Sequence, residues 1–206
     1  MQKALYRERG FTLIELVVTI AVLAIIIAIV AVAINPAEQV SRARDAKRVA
    51  DLSGMSTAWN LYLAQTVAST PDLSGHATYT CKDEGGSNNA YFIARLLTTS
   101  TPTGFDIVVT SANQAIGASG LAPARLDAGS GGSSIAVLPA DPLGTDTTEE
   151  YWYAYACDQS TKKFEFTARL ESTFFLQELK SAQRDGGNST STYETGTDLT
   201  LIPGGY

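Results

Sequence analysis

Histidine is nearly absent from this chain, with one residue, His76, in 206. That removes the Ser-His-Asp and Cys-His arrangements, in which an imidazole carries the proton. Cysteine is scarce as well: Cys81 and Cys157 are the two, with no Cys-x-x-Cys spacing to hold a metal. No glycine loop suits a phosphate, because residues 129–134 are Gly- and Ser-rich but carry no lysine and lead into no helical pattern. Positive charge is short beyond Gly54, where eight bases face sixteen acids. Such a surface disfavours phosphate-rich nucleic acid and anionic lipid, so no direct nucleic-acid partner is expected. Carboxylates are common, yet nothing in their spacing gathers a catalytic set. The sequence reads as that of a non-enzyme.

Charge is missing altogether from residues 16–34, and Thr19 is the one non-apolar residue there. As a helix rising about 1.5 Å per residue, the run comes close to the ~30 Å of a bilayer core. It is too long for the ~7–15-residue apolar region of a secretory signal, and no small-x-small cleavage site follows it. Lys3, Arg7 and Arg9 against Glu8 give the N-terminus a positive excess, which holds it in the cytoplasm and sends the C-terminus outward. An ordinary membrane anchor accounts for all of this except Gly10, Phe11 and Glu15. An ionisable residue costs roughly 2.5–3.5 kcal/mol at the centre of such a helix on insertion scales, and even at its edge Glu15 asks for a reason.

Gly10-Phe11-Thr12-Leu13-Ile14-Glu15 resembles the class III leader of type IV prepilins and type II secretion pseudopilins. The resemblance implies a membrane peptidase cutting between Gly10 and Phe11, N-methylation of Phe11, and retention of Glu15 in the core of a filament. A cut chain would have a free amine on Phe11, able to neutralise Glu15 of another copy. A paired buried charge is tolerable where an unpaired one is not. On this reading an uncut or misregistered subunit leaves Glu15 without a partner, and Glu15 sets the register of assembly. The resemblance also implies an assembly machinery driven by an ATPase, and a pilin-like α+β fold: a long N-terminal α-helix, its apolar half protruding, packed against a small antiparallel β-sheet.

Asn35-Pro36-Ala37-Glu38 follows the apolar run. Asparagine suits an N-cap, proline the first helical position and glutamate three residues after the cap a capping box. Either a new helix begins at Pro36, or one long helix is kinked or melted there. Over residues 37–65, Val49, Leu52, Met55, Trp59 and Tyr62 recur at spacings of three and four, which gives one apolar stripe. Glu38 with Arg42, and Asp45 with Arg48, read as ion pairs one turn apart on the exposed side. With Asp45 and Asp51 interleaved, Arg42, Arg44, Lys47 and Arg48 read as a solvated or intersubunit face.

The expected organisation is a leader over residues 1–10, a membrane or filament-core helix over 11–34, an amphipathic helix over 35–65 and a β-rich head over 66–206. In the head, residues 105–110, 135–138, 151–157 and 164–170 read as strands, with residues 158–163 turning the last two into a hairpin. Residues 91–97 read as a short helix or strand. Two cysteines on the exported side favour a disulfide between Cys81 and Cys157. Closing so long a loop stabilises by about 4–5 kcal/mol in the entropic account.

Residues 138–146 resemble the Asp-Pro loop that enters the sheet in major pseudopilins, some of which bind calcium there. Asp141 and Asp146, with Glu149 and Glu150, offer oxygens for calcium, although turn chemistry explains the same residues. No other cofactor is implied. Asn188-Ser189-Thr190 is a glycosylation sequon by pattern. The whole chain is at −6, and removing the three bases and one acid of residues 1–10 takes it to −8. Three roles stay open: an extracellular pilus subunit held in the cytoplasmic membrane before assembly, a periplasmic pseudopilin, or a monomeric tethered adhesin or sensor.

Overall fold

The computed structural model describes residues 10–65, 71–73, 81, 92–93, 116, 126–129, 131–143 and 151–202. Residues 105–110, His76, Asp146, Glu149 and Glu150, and the basic leader, lie outside the described residues. The chain divides into two compact units, Met1–Val40 and Ser41–Tyr206.

The first unit holds helix α1, Leu13–Ile34, with no buried residue on any face. Thr19 does not interrupt it, because its hydroxyl donates to the carbonyl of Leu16 at 2.8 Å within the helix itself. The helix ends at Asn35, which adopts the left-handed conformation (φ 44, ψ 78). Asparagine tolerates that geometry better than other non-glycine residues, and the following Pro36 disfavours the right-handed helical region for it. Helix α2, Pro36–Gln65, starts directly afterwards with proline at its first position. The alternative left open at Asn35-Pro36 thus resolves to two helices joined by a single residue.

In the second unit, the strands β1 (Phe92–Ile93), β2 (Tyr153–Asp158), β3 (Lys163–Arg169) and β4 (Thr192–Gly196) form an antiparallel sheet in chain order. β1 contributes two residues; the other three strands make the body of the sheet. Asp158 builds the β2–β3 turn: its Oδ1 accepts from the amides of Ser160 and Thr161 and from the Ser160 hydroxyl. Lys162 supplies the left-handed residue at φ 58.

Pleating sorts the residues of β2 and β3 onto two faces. Tyr153, Tyr155, Cys157, Phe164, Phe166 and Ala168 lie with Leu52, Met55, Trp59 and Tyr62 of α2 in one buried cluster. Trp59 is at its centre, edge-on to Phe166 with ring centroids 4.9 Å apart. Its indole N–H donates to the Tyr155 hydroxyl at 3.0 Å, which in turn donates to the carbonyl of Leu73 at 3.3 Å. Each such side chain, fully buried, contributes about 1.5–3 kcal/mol. Val49, on the expected stripe, is only partly buried. The opposite face carries Trp152, Ala154 and Ala156, covered by Leu201 and Ile202.

Two sequence expectations are corrected, those for residues 135–138 and for Asp45 with Arg48. Residues 135–138 form no strand; the chain loops there, with the Ser133 hydroxyl donating to the carbonyl of Ile135 at 2.6 Å. Of residues 91–97 only Phe92–Ile93 falls within the description, as a strand. Asp45 and Arg48 are not on an exposed helix face: both are fully buried.

The outward backbone of β4 is also engaged. The amide of Glu194 donates to Asp185 Oδ2 at 2.8 Å, and that of Thr192 to the Ser189 hydroxyl at 3.2 Å.

Candidate functional site

The start of α1 carries the residues that the sequence singles out. Thr12 is the N-cap, extended at φ −79 and ψ 151, and a complete capping box joins it to Glu15. Glu15 Oε2 accepts from the Thr12 amide at 2.9 Å and from its hydroxyl at 2.8 Å, while Thr12 Oγ1 accepts from the Glu15 amide at 3.3 Å. Glu15 therefore has neutral donors within its own chain, although no counter-charge faces it among the described residues. The pattern Thr-x-x-Glu is the sequence signature of this box. It is legible at residues 12–15, in addition to the cap expected at Asn35. There, the Glu38 amide approaches Asn35 Oδ1 at 3.5 Å, a much weaker version.

Phe11 is 85 % exposed, and a Cβ added at Gly10 would meet nothing within 4 Å. Neither residue is covered by the described part of the chain. The helix that follows is long and apolar enough to cross a membrane by length and composition.

Behind this segment, α2 is tied to the head by charge. Arg48 donates through Nε and Nη2 to the two carboxylate oxygens of Asp141 at 2.7 and 3.0 Å. Its Nη1 reaches Asp45 at 2.7 Å and Glu171 at 2.8 Å. Arg44 grips Glu171 with a second fork at 2.6 and 2.7 Å. Asp45 also accepts from the amides of Glu171 and Ser172. Burial alone would lower the Arg48 pKa; the carboxylates of Asp141, Asp45 and Glu171 outweigh it and hold the guanidinium charged. Burial pushes Glu171 up, and Arg44 and Arg48 more than reverse that, leaving its carboxyl below the ordinary value.

Asp141, a candidate calcium ligand, is thus filled by Arg48, and its Oδ1 also accepts from the Leu143 amide at 2.8 Å. Its oxygens serve an ion pair and a turn. No group of three metal-ligating side chains occurs among the described residues. Cys81 and Cys157 are joined in a disulfide. Asn188 of the sequon donates its amide nitrogen to the carbonyl of Ile202 at 3.1 Å, so that nitrogen is already engaged. Glu171 carries no local sequence signal, because its partners lie more than a hundred positions away.

Residues 5–31 match the family model of the prokaryotic N-terminal methylation motif. The start of this chain thus carries the methylation motif, as the class III leaders of type IV pilins and pseudopilins do, and the α+β architecture behind it is consistent with a pilin-like fold. No curated protein and no solved structure matches the chain.

Proposed function

We propose that the chain is the structural subunit of an extracellular type IV pilus-like filament, cut between Gly10 and Phe11, N-methylated on Phe11 and polymerised through its N-terminal helix. The carrying observation is the methylation motif over residues 5–31, set against a membrane-length helix with no buried residue. A helix apolar on every face loses lipid contact on leaving a membrane, so packing against copies of itself must replace that contact. A prepilin peptidase and an ATPase-driven assembly machinery are the partners this requires. The chain waits in the cytoplasmic membrane with its C-terminus outside.

Glu15 gains a second role after cleavage. Its local bonds to Thr12 keep the carboxylate tolerable before assembly, and the new Phe11 amine of a neighbouring copy offers it a full counter-charge afterwards. The same motif serves pseudopilins, so a short periplasmic fibre of a secretion system is the second reading.

The test is intact mass measurement of material sheared from the cell surface. The expected species starts at Phe11 and is heavier by one CH2 than the unmethylated chain with the same start. Glu15→Ala should still insert and be cut but yield few filaments. A chain that keeps Met1 and stays in the membrane fraction would refute assembly, and processed chains confined to the periplasm would select the pseudopilin.

A further inference from the structure

The face of the sheet turned away from α2 is acidic in its interior. Glu165 and Glu194 are 0 % and 2 % exposed. Glu165 sits opposite Gly196, and Glu194 opposite Thr167, so the two are diagonal neighbours on one face of β3 and β4. Each uses one oxygen on a backbone amide. Ile202 N–H donates to Glu165 Oε2 at 2.8 Å, and Ser189 N–H to Glu194 Oε2 at 3.0 Å. The other oxygen of each, Oε1, is buried with no donor facing it among the described residues, and the two side chains lie within hydrogen-bonding reach of each other. Thr167 Oγ1 is a third buried orphan on the same face.

No cation among the described residues answers this pair. β2 contributes Ala154 and Ala156, the residue just before it Trp152, and the C-terminal segment Leu201 and Ile202. The charged group facing Glu194 from the segment before β4 is Asp185, itself an acid. Lys163, at the end of β3, is paired with Asp198 at 2.9 Å, and Arg169 and Arg184 are exposed. Two ionised carboxylates in contact, both out of water, would repel with nothing to offset the cost. A single proton removes the conflict. Carried by Glu165, it is donated to Glu194 Oε1, and both orphaned oxygens are then satisfied.

We propose that Glu165 and Glu194 share one proton, and that this proton keeps the C-terminal segment seated on the sheet through Ile202. The segment has two tethers there, Ile202 N–H to Glu165 and Asn188 Nδ2 to the carbonyl of Ile202. Ile202 itself is almost fully buried. Loss of the proton places two negative charges under an apolar cover, and the cover lifts to admit water.

Burial is the largest influence on both groups and raises both pKa values. A folded-state pKa above the unfolded one means that the folded chain holds the extra proton. The contribution is therefore complete below the unfolded value of about 4.3 and falls away as pH rises through the folded one. The latch is closed in acid and loosens in alkali. The inference is independent of the filament reading, because it concerns the folded head alone.

Amide hydrogen exchange by mass spectrometry on the full chain in detergent micelles tests it. Rates are corrected for intrinsic base catalysis, and the C-terminal peptide containing Ile202 is followed between about pH 6 and about pH 10. Its protection should fall roughly tenfold or more across that range while that of β2 and β3 holds. Glu165→Gln should make the protection independent of pH, since an amide donates to Glu194 with no proton to lose, and Glu194→Gln should do the same. The infrared carbonyl band of a buried protonated carboxyl, read on the wild-type chain at neutral pH, needs no variant to fold. Flat wild-type protection, an unchanged fall in both variants, or absence of the protonated band overturns the proposal. So does protection that calcium, added to a metal-stripped chain at fixed pH, restores in place of the proton.

Discussion

Arg48 reaches Asp45 one turn back on α2, Asp141 in the loop before β2, and Glu171 just beyond β3. Replacing a buried ion pair wholesale is often harmless, whereas deleting one partner strands the others. Arg48→Met leaves Asp45 and Asp141 buried with no counter-charge of their own. The expected loss is about 3–5 kcal/mol, read by urea unfolding of the full chain in detergent; a loss under about 1 kcal/mol would mean the carboxylates find water. Glu171 adds a pH dependence of opposite sign to that of the Glu165–Glu194 pair. Its folded pKa is depressed, so its contribution is present above the unfolded value of about 4.3 and is lost as pH falls through the folded one. Thermal stability should decline below about pH 4.5, and Glu171→Gln should flatten that limb. The sequence shows Asp45 and Arg48 as a pair but not their burial. The cause is separation: Arg48 meets partners 93 and 123 positions away, and no local pattern encodes that.

At the scale of the element, β2 and β3 are legible because aromatic residues alternate along them and all face α2. β4 was not read as a strand. Its inward positions are Thr192 and Glu194, both buried, so the alternation that marks a half-buried strand is inverted in polarity. The stripe on α2 was legible through its spacing, and the membrane-length helix through the absence of charge. What sequence alone left open at Asn35, backbone geometry decides: proline disfavours the helical region for the preceding residue, and asparagine accepts the left-handed one. β4 carries its own test. A Cβ on Gly196 would collide with the carbonyl of Phe164 and approach Glu165 Cα at 2.9 Å. Gly196→Ala should therefore force β3 and β4 apart and cost about 1–3 kcal/mol. Unchanged urea unfolding of that variant would show that the strands spread freely.

Across the whole molecule, Cys81 and Cys157 close a separation of 76 positions. Two cysteines in a domain expected to be exported made that bond readable, since redox compartment and number together left few options. Reduction should lower the unfolding free energy by about 4–5 kcal/mol in the entropic account. Equal melting temperatures with and without reductant would locate the stability elsewhere, in the aromatic cluster around Trp59. The leader was the part of the function that could be read, being a short ordered motif beside a long apolar run. The ion-pair network and the buried glutamates could not, because they exist only once distant segments meet.

The two outward amides of β4 held by Asp185 and Ser189 have a consequence for crowding. A sheet rim with free N–H groups is a template on which another chain's strand can grow. Here two of those N–H groups are already occupied from within. Heads brought to high local density can slide and jostle along this side without zipping into a continuous ribbon, so contact between copies stays reversible.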